Sequence, residues 1–163
     1  LPAIIGATLG RWVNAKYQWR APITLLVVGF FVGFTWAFMF NALLGAQLGV
    51  FYYGRVIEGL ALWEGTKNQY PIYDAVAMGV QMMVFTYLLG RTDAVGRTLI
   101  DVWADAKSDS RVRSSLLSVG AFIVIGHVVY LSVFAPHLVT KVMHLQTVGP
   151  TEQLFEGIPN QPL

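Results

Sequence analysis

The sequence predicts an all-α membrane protein with about three transmembrane helices and a cytoplasmic amphipathic helix, and three observations carry that expectation. Of the 163 residues, 55% are apolar and only 12% charged, with a mean hydropathy of +0.56; an average soluble domain is about 25% charged. Three stretches are long and nearly free of charge, and a spanning helix needs about 20 mostly apolar residues. The basic residues around those stretches alternate in number, as the positive-inside rule requires. The same composition excludes other classes. Few charges and 13% aromatics are the reverse of a disordered chain. The absence of cysteine removes a disulfide scaffold, a thiolate nucleophile and a sulfur-ligated metal centre. A formal charge of +2 gives no reason to expect nucleic acid as a partner.

The elements follow in order. Residues 1–22 read as an interfacial approach to the membrane, with Trp12, Tyr17 and Trp19 interleaved with Arg11, Lys16 and Arg20. The first span is 23–48, where the chain from Ile23 through Asn41 to Tyr53 carries no charge. An external loop occupies 49–70. The second span, 71–90, has Pro71 near its first turn and Asp74 as its only charge. A cytoplasmic amphipathic segment fills 91–114, and the third span, 115–139, has His127 and His137 as its only ionisable groups. The remainder, 140–163, with Pro150, Gly157, Pro159 and Pro162, reads as an irregular external tail.

Basic residues number three before the first span, two in the first loop, five in the second and one after the third span. That alternation orients a multi-pass protein of the cell membrane with residue 1 cytoplasmic and the C-terminus external. Membrane lipid is the first expected partner. Three spans bury little against one another, so further helices are expected, from more chain, a homo-oligomer or a larger membrane complex. Gly29 with Gly33, and Gly45 with Gly49, are small-xxx-small pairs suited to close helix approach, either within the bundle or between copies.

Polar groups inside a bundle are costly and are therefore functional candidates. Asp74 stands first among them. In the opening turn of a helix a carboxylate is favoured by the helix dipole, and a partly desolvated one can also serve as an acid. Tyr73, Tyr70 and Gln69 stand beside it, with Glu58 and Glu64 in the preceding loop. Asn41 can bond a substrate oxygen or a neighbouring helix; Gln81 and Thr86 suit the second role. His127, His137 and His144 raise the question of a metal. Positions 137 and 144 share a helical face, but 127 points elsewhere, so neither a metal nor a cofactor is expected. Asp101, Asp105 and Asp109 recur every four residues, as an acidic ridge would. Such a ridge can hold magnesium and a diphosphate or be a solvated face balanced by Lys107, Arg111 and Arg113.

The stretch GVFYYGRVIEGLALWEGTKNQYPIYDAVAMG, from Gly49 to Gly79, resembles the AveC-like spirocyclase family of actinobacterial membrane proteins. The resemblance rests on Tyr53, Arg55 and Gly59, a Gly65-Thr66 step, and the run Gln69-Tyr70-Pro71-Ile72-Tyr73-Asp74, continued by Gly96-Arg97-Thr98. It covers roughly residues 25–115. It implies a polytopic membrane protein acting on a lipophilic polyketide or lipid by acid-assisted dehydrative cyclisation. In that reading Asp74 is the acid and Tyr73 its partner, with Glu58 and Glu64 next in rank. Asn41, Tyr53, Gln69 and Tyr70 then contact the substrate. The alternative is a non-catalytic membrane subunit packed in a larger complex. A third reading, transfer from a diphosphate substrate, would use the Asp101 ridge.

Overall fold

A computed structural model describes residues 1–151. Among the described residues the chain is all-α apart from one small ribbon, and three helices are long and apolar enough to cross a membrane: Ala21–Ala46, Ile72–Gly90 and Arg111–Val142. Ahead of them, α1 (Pro2–Tyr17) occupies most of the segment read as an interfacial approach. It begins with proline at its first position, where the missing N–H costs nothing, and ends at Gln18 in a left-handed conformation. Its small residues Gly6, Ala7 and Gly10 are buried, so it packs on the spans while Trp12 stays exposed.

The first span is α2 (Ala21–Ala37) running without a break into a π-helical segment, Phe38–Ala46. The wider turn persists past its end, where the Gln47 and Val50 amides reach back five residues to the Ala42 and Gly45 carbonyls. Such widened turns are rare and often lie at functional sites. Asn41 sits inside this one. The loop that follows is closed by β1 (Ala61–Leu62) paired antiparallel with β2 (Tyr70–Pro71), a ribbon the sequence pattern did not announce. Pro71 then caps α3 (Ile72–Gly90).

Helices α2 and α3 share the most extensive contact among the described elements, with α1 packed on both. Glycine makes it possible. A Cβ on Gly33 would lie 2.5 Å from the Met82 Cβ, and one on Gly29 would lie 2.7 Å from the Thr86 Cβ. The pair Gly29/Gly33 therefore packs inside the bundle. The pair Gly45/Gly49 does different work: Gly45 receives the Phe51 ring, and Gly49 holds φ +69 in the turn after the span, a conformation glycine adopts without strain.

Beyond α3, Thr98 opens α4 (Leu99–Asp105) with a reciprocal capping box to Asp101. The helix ends at Asp105, where the last turn tightens and the Lys107 amide bonds the Ala104 carbonyl. Asp109 therefore lies outside it, and the expected three-aspartate ridge does not form. Asp101 and Asp105 instead accept hydrogen bonds from Ser118 and Ser114 of α5 (Arg111–Val142), while Arg97 pairs with Asp93 and Asp105. The acids are spent on docking α4 against α5. Helix α5 is largely bare: Leu116, Val124, Val128, Leu131 and Leu138 are all more than 60% exposed. A helix apolar all round needs lipid or further helices about it. Of the tail residues noted above, Pro150 is described, whereas Gly157, Pro159 and Pro162 lie outside the described residues.

Candidate functional site

The site is built where the first loop, the start of α3 and the end of α5 converge. Asp74 occupies the third position of α3, in its first turn. Its side chain, 16% exposed, looks across the bundle. The Asn41 amide nitrogen donates to Oδ2 at 3.2 Å from the π-helical segment. The Tyr70 hydroxyl donates to the same oxygen at 3.0 Å from the ribbon one turn earlier. Nε2 of His137 lies 3.5 Å from the other oxygen, Oδ1. Three separate elements thus meet on one carboxylate.

The tyrosines frame it. Tyr70 is fully buried and packs edge-on against Tyr53 with ring centroids 5.6 Å apart. Burial, and then the Asp74 charge, push both phenols above their ordinary value. They remain protonated at any physiological pH and serve as donors, not bases. Tyr73 turns the other way. Its ring lies 5.1 Å from that of His137, and both line the same cleft as Gln146 of the segment after α5. Gln146 is itself tied to Thr140 at 2.9 Å, and Val148 pairs with Val56 of the loop, so the segment after α5 is strapped to the first loop.

Between loop and strap lies an open cleft of about 620 Å³. Tyr53, Tyr73 and His137 line it, together with Arg55, Lys141 and His144. Asp74 and Tyr70 lie behind that wall, not on it. Gln69 is fully buried; its amide donates to the Tyr53 carbonyl at 2.8 Å and its oxygen accepts from the Gly65 amide at 3.2 Å, so it holds the loop that carries Tyr53. Glu64 accepts from the Ala61 amide at 3.2 Å within the ribbon turn, and Glu58 is exposed. Neither glutamate is a partner of Asp74. Of the sequence candidates, then, Asp74, Tyr73, Tyr70, Tyr53 and Asn41 come together, Gln69 supports them, and Glu58 and Glu64 stand apart.

Sequence reasoning missed His137 as the partner of Asp74. Its shared face with position 144 was a usable signal, because both histidines line the cleft, His144 just beyond the helix end at φ +55. His127 bonds its own helix at the Ile123 carbonyl, 2.8 Å away. Among the described residues no three histidines or acids gather as a metal would need.

A family model described as spirocyclase AveC-like matches residues 1–161, almost the whole chain. The chain belongs to the AveC-like spirocyclase family. The match extends well past the stretch that carries the resemblance in sequence, so α1, α5 and the cleft at its end are all part of this AveC-like chain's family region. No curated protein and no solved structure matches it significantly.

Proposed function

We propose that this AveC-like protein is a membrane-embedded cyclase that closes a lipophilic polyketide or lipid by acid-assisted loss of water, with the cleft as its active site. One observation carries the reading: an imidazole and a phenol face the cleft, backed by a carboxylate held on three sides. A hydroxyl of the substrate adds to its ketone to give a hemiketal. His137, oriented by Asp74, donates a proton to the hemiketal oxygen, which leaves as water. The electron-rich Tyr73 and Tyr53 rings flank the oxocarbenium ion. A second hydroxyl then adds and returns its proton to His137, which leaves the enzyme as it began. Asp74 is in this scheme a positioning residue behind the acid.

The test is turnover by the full chain in lipid vesicles, with a long-chain dihydroxy-ketone as substrate and the cyclised, dehydrated product read by mass spectrometry. His137→Gln lowers the rate by about 10²–10⁴-fold, the usual contribution of a positioned acid. Asp74→Asn lowers it less and shifts the pH profile. Cyclisation at equal rates with wild-type and His137→Gln protein sinks the proposal.

A second reading has its own observation. Helix α5 is bare of neighbours over most of its length, as in a non-catalytic subunit of a larger membrane complex or a homo-oligomer. Native mass spectrometry of protein extracted with its native partners separates the two: a fixed stoichiometry with a larger enzyme supports the subunit, and a free active chain supports the cyclase.

A further inference from the structure

The other end of α5 carries a second concavity. It is an open groove of about 730 Å³ between α4 and α5, some 24 residues before His137 along the helix. At 1.5 Å per residue its cationic end at Arg113 lies about 36 Å from His137 and its other end at Ile125 about 18 Å, and the two concavities share no lining residue, so they are separate sites.

The groove has two unlike ends. At one, Lys107 and Ser108 of the turn after α4 face Arg113 of the first turn of α5. Both cations are exposed, and among the described residues neither forms an ion pair: Asp101 and Asp105 are committed to Ser118, Ser114 and Arg97, and Asp109 of the same turn is exposed and pairs with neither. From there the groove follows one face of α5 through Leu116, Gly120 and Val124, at helical spacing and without a polar group. Gly120 deepens its floor: a Cβ there would meet nothing within 4 Å. Trp103 closes the side near the cations, 46% exposed, the usual place for an indole at a membrane interface.

Length fixes the depth of each end. The 32 residues of α5 make a rod of about 48 Å, well beyond the roughly 30 Å of hydrocarbon in a bilayer. With the uncharged run from Leu116 in the hydrocarbon, Arg113 and Lys107 stand about one turn outside it, at the level of lipid phosphates. We infer that the α4–α5 groove binds one anionic phospholipid, its phosphate between Lys107 and Arg113 and an acyl chain laid over Gly120. Two free cations at headgroup depth select a negative head, and an apolar groove continuous with them selects a tail.

Native mass spectrometry of the full chain, released from micelles containing equal phosphatidylglycerol and phosphatidylcholine, tests this. The expected result is one retained phosphatidylglycerol per chain. Lys107→Gln and Arg113→Gln each lower its retention roughly fivefold, the usual worth of one basic residue near an anionic surface. Gly120→Leu fills the groove from open space, keeps the fold, and lowers retention with both cations intact. The inference is overturned by equal retention of the two lipids, by retention unchanged in all three variants, by glycerol phosphate displacing the lipid as well as phosphatidylglycerol does, or by a second copy of the chain occupying the groove.

Discussion

Tyr70 and Tyr53 show how a single residue's protonation can be tied to the fold. Their folded values lie above those of the unfolded chain because burial disfavours the phenolate and the Asp74 charge repels it. Below about pH 10, the unfolded value, both states hold the proton and the full stabilisation is present. As pH rises past that value the unfolded chain releases protons the folded chain keeps, so stability falls. The thermal midpoint of the purified protein is therefore expected to be flat through neutral pH and to drop above about pH 10. Tyr70→Phe, which removes one of the two raised phenols and a bond to Asp74, is expected to lower the neutral midpoint and to flatten the alkaline fall. An alkaline fall of equal steepness in the variant assigns the effect to other tyrosines. At this scale the sequence was half legible. Tyr70 and Asp74 stand four apart, and their adjacency could be read directly. Asn41 and His137 lie 33 and 63 positions from Asp74 in sequence, and only the turn of the π-helical segment and the docking of α5 bring them to it.

Among the elements, glycine divides into two kinds that composition alone does not distinguish. Gly33 lies against the Met82 side chain and the Met78 carbonyl of α3, with no room for a Cβ. Gly120, on the bare α5, has open space around it. Gly33→Val is expected to force α2 and α3 apart at a cost of about 1–3 kcal/mol or more, as overpacking does. Gly120→Ala is expected to stabilise by up to about 1 kcal/mol, the difference in helix propensity. Unfolding of both variants in mixed micelles checks the contrast, and equal effects of the same sign would contradict the packing. The small-xxx-small spacing was enough to find the first pair. It misread Gly45 and Gly49, because the same spacing also arises where a span ends and the chain must turn beneath an aromatic ring. The aspartates misled for a related reason: a spacing of four continues a ridge only while the helix continues, and α4 stops at Asp105.

For the whole molecule, the spans were legible because hydropathy is a sum over many residues and tolerates local error, whereas a site depends on a few distant ones. The structure adds a constraint of its own on orientation. Val56 pairs with Val148 and the Thr151 amide donates to the Gly65 carbonyl at 2.8 Å, so the first loop and the segment after α5 share one end of the bundle. The 91–98 turn and α4 belong to the other end, the one rich in arginine and lysine. A bundle crossing the membrane therefore places the cleft and the basic turn on opposite faces, and from the positive-inside rule we propose that the basic turn is the cytoplasmic one. The chain contains no cysteine, which makes it ready for single-cysteine mapping. Leu60, 49% exposed in the loop, and Val95, 76% exposed in the basic turn, are suitable positions. In intact cells a membrane-impermeant thiol reagent is expected to label Leu60→Cys and to reach Val95→Cys only after permeabilisation. The reverse pattern inverts the protein and puts the cleft on the cytoplasmic side. Labelling of both without permeabilisation is incompatible with the bundle crossing the membrane between them. Because the two positions are separated by α3 alone, that result would exclude α3 as a span whatever the other helices do.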